Sequence, residues 1–454
     1  MKTEIRTLVD RWAEIEDISK ASQVLEWDQE TKMPGGGAEV RGIQLATLAE
    51  LAHENLVSRD FKHALKGAAT TTRLPTRDAA IVREARREHD RAARVPGSLV
   101  EEIARAESVG LEMWRKARRT NRWNEFSRQL VTLVRLKRRL ADAVGYRDQP
   151  YDALLDMYEP DATVAQLDPL FEGLKEVTIP LVQKIARARR RPDRRILTRK
   201  YPQEGQLRFV RMVLDAMGFD FDAGRLDLST HPFCSGFAVG DVRLTTRVNE
   251  RDLRPCTFGS IHEAGHGLYE QGFDPRLSRT PLGHAISLGV HESQSRLWEN
   301  IVGRSRPFWA HFLPRLKRVF PEQLKGVKLA DFHFAVNEVT PSFIRVEADE
   351  VTYNLHIVLR YELEKGLFDG SIRPEKLPQE WNARMKSLLG ITPGNDSEGV
   401  LQDIHWAMGL YGYFPTYSLG NLYSAQIWKR ARRDLPDLED RIRKGDLVTL
   451  RDWL

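Results

Sequence analysis

Cysteine is scarce: the 454 residues contain two, Cys234 and Cys256. That is too few for a disulfide framework and favours a reducing compartment. Long apolar runs are missing as well, since none approaches the ~20 residues that cross a bilayer. The N-terminal MKTEIRTLVDRWAEIEDIS mixes charges at helical spacing where a signal peptide would carry an apolar stretch. A cytoplasmic protein without membrane contact is expected. There is no fixed-period repeat, which sets aside a solenoid, and no linker long or polar enough to split the chain. Residues 1–454 are therefore expected to form a single domain. The net charge of +6 raises the question of nucleic acid. The strongest basic run, KIARARRRPDRRILTRK at 184–200, lacks aromatic interleaving and any recognisable nucleic-acid module. It reads as a solvated helix end and loop, and no nucleic-acid partner is expected.

What is present is helix. Apolar residues recur at three- and four-residue spacing through TEIRTLVDRWAEIEDISKASQVLEW and, after a Pro34–Gly37 break, through EVRGIQLATLAELAHENL. Further segments are expected over 76–93, 98–118, 122–144, 164–190 and 203–216. Amphipathic helices at such close spacing must pack on one another, so the fold class is mainly α. The part up to about residue 217 reads as wholly helical and 218–454 as the catalytic part. Residues 218–250 break the pattern. In DVRLTTRV Val242, Leu244, Thr246 and Val248 share one face, and Asp241, Arg243, Thr245 and Arg247 the other. A small sheet is expected there, with a hairpin around Gly240. Its edge could hold an extended substrate by strand addition, or the hairpin could be purely structural.

The stretch with the most specific chemistry is HEAGH, His262 to His266. Histidines four apart on a helix project from one face, within reach of one Zn²⁺, with Glu263 beside it. A catalytic zinc keeps three protein ligands and an open position for water, whose proton a neighbouring carboxylate can take. For the third ligand, Glu270, His284, His291, Glu292 and Glu299 lie downstream. Glu270 sits a turn along the same helix, poorly placed to close a tetrahedron. HESQSRLWEN reads as a second helix, and a His₂Glu set is a known catalytic arrangement, so Glu292 is preferred. His291 has a rival reading as a residue that supports a ligand.

The chain resembles the carboxypeptidase Taq family, cytosolic zinc enzymes related to angiotensin-converting enzyme and neurolysin. The likeness rests on HPF (His231–Phe233), DVRLT (Asp241–Thr245), HEAGH, HES (His291–Ser293), IRVEAD (Ile344–Asp349) and GVLQDIHW (Gly399–Trp406), in order along nearly the whole chain. The early LEWDQETKMPGGGAEVRGIQLATL and late PTYSLGNLYSAQ fit it too. The resemblance implies zinc on His262, His266 and Glu292, with Glu263 as general base. It also implies a helical body split by a deep groove, a homodimer, and removal of single residues from peptide C-termini with broad preference. This chain reads as somewhat shorter than the family's usual size, with no named motif lost.

An exopeptidase must also tell a chain end from a chain middle, and an arginine bonding the terminal carboxylate by two parallel contacts does this directly. Arg345 and Arg243 compete. Arg345 is preferred, on the expectation that IRVEAD lies on a helix facing the groove, with Asp349 orienting it from one turn away. His405 or Tyr417 could donate to the developing oxyanion. Asp403 could either fix His405 or touch substrate, and His231 reads as a hairpin or supporting residue near the substrate. Co²⁺ suits the same N₂O ligand set as Zn²⁺. Two rivals remain: an oligopeptidase or peptidyl-dipeptidase with the same zinc chemistry, and a non-catalytic basic helical zinc protein that binds nucleic acid.

Overall fold

The computed structural model describes residues 2–454. The periodic segments form the helices α1 (Thr3–Thr31), α2 (Ala38–Leu56), α3 (Arg59–Thr70), α4 (Thr76–Arg94), α5 (Gly97–Thr120), α6 (Trp123–Val144), α7 (Pro150–Leu155), α8 (Val164–Ala186) and α9 (Gln203–Met217). A three-stranded sheet follows, of β1 (Gly224–Leu228), β2 (Cys234–Ala238) and β3 (Asp241–Thr246). Then come α10 (Leu253–Gln271), α11 (Leu288–Arg296), α12 (Arg306–Val319), α13 (Leu329–Val336), α14 (Glu350–Asp369), α15 (Leu377–Leu389), α16 (Pro415–Asp434), α17 (Leu438–Lys444) and α18 (Val448–Trp453). The mainly α class with a small sheet beside the HEAGH helix holds. No helix among the described residues is long and apolar enough to cross a membrane.

The expected hairpin is β2–β3, antiparallel with Cys234 opposite Leu244, and Gly240 lies in its turn. The alternation of β3 did not foretell that β1 pairs with β3 in parallel, giving the order β1-β3-β2. Val242 and Leu244 are fully buried, and Leu244 meets α10 at Gly267, where a Cβ would approach its Cδ2 to 2.8 Å. The sheet is thereby the platform on which the HEAGH helix rests. β2 is an edge strand, yet its Gly236 carbonyl accepts from Lys20 Nζ of α1 at 2.8 Å, so this point of the edge is already engaged.

Two large cores flank the site. One gathers α5–α8 with α14, α15 and the segment around Val400–Leu419. The other gathers α9, the sheet, α10, α12, α13, α17 and α18. Every element as far as Met217 is helical. Residues 353–419 return to pack on the helices of the first part, because the apolar faces of α5–α8 need that cover. In the basic run, Arg191 donates to the Ile185 and Ala186 carbonyls at the end of α8, at 3.1 and 2.5 Å. Arg194 pairs with Glu338.

Candidate active site

α10 and α11 carry the centre of the site. Gly265, inside HEAGH, lets them meet: a Cβ there would lie 2.6 Å from Ser295 Cα. On the other flank Gly420 of α16 does the same, since a Cβ would stand 2.5 Å from Glu292 Cγ. α11 is thus seated between two helices at near backbone contact, which fixes its register. Its N-terminus is held by the Ser287 hydroxyl, accepting from Val290 N, and by Glu159, accepting from Gly289 N and Ser287 Oγ.

This packing brings His262, His266 and Glu292 together, each offering one atom within 4.8 Å of the others. Glu292 Oε2 lies 3.6 Å from His262 Nε2 and 3.3 Å from His266 Nε2. The set fits a divalent cation on its own chemistry. Glu299 Oε2 holds His262 Nδ1 at 2.9 Å, so Nδ1 carries the proton and Nε2 keeps its lone pair for a metal. Burial pushes the His266 ring down to about 3, keeping it neutral. Glu292 Oε1 accepts from Arg296 at 2.6 Å, and Arg296 with the neighbouring histidines outweighs burial to hold the Glu292 carboxyl well below its usual range. Glu299 is placed behind His262 and is not a third ligand. His291 bonds Glu270 at 2.9 Å and stacks on His266 at 4.3 Å, in the supporting role that was its rival reading. His284 stacks on Trp12 of α1.

Glu263 is buried beside this cluster. Removal from water, with Glu292 and Glu299 nearby and His262 opposing, raises its carboxyl to about 7. The same burial, next to Glu263 and Glu270, raises the thiol of Cys234 well above its usual value. Both cysteines are free.

A second cluster lies behind the first. Arg296 reaches over the Tyr353 ring at 4.3 Å, and the Tyr353 hydroxyl accepts from Arg345 Nη1 at 3.0 Å. Arg345 is 5% exposed and gives Nε and Nη2 to Asp403 Oδ1 at 3.0 and 2.8 Å. Asp403 also receives Arg360. IRVEAD is not a helix: Arg345–Glu347 is one 3₁₀ turn, and Asp349 is the N-cap of α14, accepting from the Val351 and Thr352 amides at 3.0 Å. Asp403, not Asp349, orients Arg345, because an Asp before a helix satisfies that helix's free N–H groups first.

Asp403 stands 4.0 Å from His405 Nδ1, beyond hydrogen-bond distance. The His405 ring is pushed down to about 3 by burial and by Arg345, and its Nε2 faces the Tyr417 hydroxyl at 3.4 Å. Tyr417 lies over Arg345 at 5.1 Å. Arg243 is elsewhere, on β3 beneath Trp27 of α1 at 4.5 Å, with Nε and Nη2 both given to Asp241 at 2.8 Å. His231 is exposed, and its carbonyl accepts from Ser229 Oγ. Neither Arg243 nor His231 hydrogen-bonds either cluster among the described residues. Sequence reasoning missed Arg296, Arg360 and Tyr353. The i, i+4, i+7 spacing of Glu292, Arg296 and Glu299 was a readable signal of a charged row on one helix face.

The sequence pattern of the carboxypeptidase Taq (M32) metallopeptidases matches residues 7–454. The chain belongs to that family. It is a peptidase, and its family implies a divalent metal, which the His262, His266 and Glu292 cluster could hold. It is 46% identical over 439 residues to thermostable carboxypeptidase 1 of Thermus thermophilus, covering 94% of this chain and 86% of that one. The crystal structure of an M32 carboxypeptidase from Deinococcus radiodurans superposes with a TM-score of 0.97 at 37% identity, over 100% of this chain and 91% of that one. A structure described as oligoendopeptidase F matches at a TM-score of 0.59 and 14% identity, over 94% and 84% of the two chains. That likeness is one of fold alone.

Proposed function

We propose that this protein is a zinc-dependent metallocarboxypeptidase that releases single amino acids from the C-termini of peptides with broad specificity. The observation that carries the chain-end reading is the Arg345–Asp403–Arg360 cluster, two arginines on one carboxylate. It holds one net positive charge, because His405 beside it is neutral above about pH 3, and it is linked to Glu292 through Tyr353 and Arg296. A free α-carboxylate supplies the missing negative charge. Arg345 makes three donations, which leaves one N–H on each terminal nitrogen for such a partner.

His262, His266 and Glu292 would hold the zinc, with Co²⁺ able to replace it. When bound, the cation supplies Lewis acidity, acidifying water and polarising a carbonyl. Glu263 takes the proton of the attacking water and delivers it to the departing amine. His405 and Tyr417, one neutral imidazole and one hydroxyl, donate to the oxyanion as it develops. Asp403 positions Arg345.

The rival with the same chemistry is an oligopeptidase or peptidyl-dipeptidase. Hydrolysis of one peptide as the free acid and as the C-terminal amide separates the two. Cleavage of the free acid alone, with single residues released, is the expected result, and equal rates on both would overturn the chain-end reading. A nucleic-acid protein with structural zinc is less favoured, since such a site has no need of Glu263 and closes with a fourth protein ligand. A homodimer rests on family resemblance, and a reducing cytoplasm suits the two free thiols.

A further inference from the structure

Glu364, on α14, is a fully buried carboxylate, and no cation among the described residues forms an ion pair with it. Such a group is costly to keep in a core, and burial raises its carboxyl to about 7. Three donors converge on it. Trp406 Nε1 reaches Oε1 at 2.8 Å, and Tyr151 Oη and Gly412 N reach Oε2 at 2.6 and 2.8 Å. Two of the three come from the loop that carries Asp403 and His405. One turn back on the same helix, Arg360 grips the start of that loop, donating to Asp403 Oδ2 at 2.6 Å and Gln402 Oε1 at 2.8 Å. Gly412 is forced into its place: its φ is +87°, and a Cβ would meet the Leu154 carbonyl oxygen at 2.5 Å.

We propose that Glu364 is a positioning residue for His405, pinning the far side of the 402–412 loop through Trp406 and Gly412 while Arg360 pins its near side. The opposite charges four residues apart on α14 face inward and act on the loop. His405 lies between the two anchors. The Trp of GVLQDIHW then has a role beyond packing, as the N–H that reads this carboxylate. The proposal rests on the reading that His405 serves the reaction.

The test is Glu364→Gln in the full-length, metal-loaded enzyme. The variant keeps the size of the side chain but must turn an amide N–H₂ toward a donor, either Trp406 or the Tyr151–Gly412 pair. Metal content per chain should be unchanged, while kcat on a free-acid peptide falls about tenfold or more and KM moves little, since a misplaced donor is felt in the transition state. Trp406→Phe removes the N–H without touching the charge and should lower kcat in the same direction. The double variant relieves the donor–donor clash and should be more active than Glu364→Gln alone. If Glu364→Gln does not fold, Trp406→Phe and Tyr151→Phe carry the test by the same kcat-against-KM split. A lowered melting temperature with unchanged kcat per metal-loaded site would make Glu364 merely structural and overturn the proposal, as would a double variant no better than the single one. His405→Ala separates the two layers. Unchanged kcat in that variant sinks the role of His405, whereas a large loss there beside a normal Glu364→Gln sinks the role of Glu364 alone.

Discussion

The metal cluster hangs on two helices in near backbone contact, whereas the Arg345–Asp403–Arg360 cluster is assembled from a 3₁₀ turn, a loop and a helix. On the metal side, four residues of α10 and α11 supply the three candidate donor atoms and the proposed base. Each is placed by helical periodicity and by a glycine that allows close approach, Gly265 or Gly420. On the chain-end side only Tyr353 and Arg360 share a helix, α14, and the other groups come from a 3₁₀ turn, a loop and α16. They are held by hydrogen bonds to one another and to buried polar residues that touch no substrate in the proposed mechanism. A site built on periodic elements needs few supports, and a site built on loops needs a network. Each side can be broken separately.

Glu263→Gln should give the largest effect: turnover falls by about 10²–10⁴ with the metal retained, measured as kcat beside metal analysis. Substantial activity in a metal-loaded variant would remove Glu263 from the role of base. Glu292→Ala on the same side should lose metal on dialysis, and Glu299→Gln should weaken metal affinity by about 10–100-fold in a chelator competition. A Glu299→Gln variant that binds metal as tightly as the parent would deny that the Glu299–His262 bond sets the ligand's orientation.

Arg345→Ala tests the other side. Losing two charge-assisted bonds to a terminal carboxylate should lower kcat/KM for free-acid peptides by about 10²-fold and leave metal content alone. It also removes three hydrogen bonds from the buried cluster while Arg360 still pairs with Asp403, so stability should drop by about 1–3 kcal/mol, read by denaturant unfolding. The two readouts are separable. If free-acid and amidated peptides lose rate equally, Arg345 acts through structure only.

The same contrast explains what could be read before the structure was in hand. HEAGH and the Glu292 helix follow from a 3.6-residue period and from the ligand chemistry of His and Glu. So do the helix spans, of which 122–144 falls within one residue of α6 (Trp123–Val144). IRVEAD also has a helical look, but Asp349 stops it by capping the next helix, a competition between local patterns that sequence alone does not weigh. Arg360 and Glu364 in LRYELE look like a solvated i, i+4 pair; only the fold, by covering α14 with the 402–412 loop, turns them into buried anchors. Parallel pairing of β1 with β3 was hidden for the same reason, since pairing partners are set by tertiary contact.

The smallest effect expected is on the shape of the pH profile, and it separates the two sides most cleanly. Glu263 must be ionised to act. Burial raises its carboxyl to about 7 without a cation, and a bound positive charge lowers it. The acid limb of kcat/KM should therefore lie below pH 7, with rate rising as pH increases through it and falling about tenfold per unit on the acid side. His405 is already neutral above about pH 3, so it changes no proton across that window. His405→Gln should accordingly lower the plateau while leaving the position of the acid limb where it was. A limb that moves or vanishes in His405→Gln would transfer the titrating role to the loop side, and with it the assignment of the base.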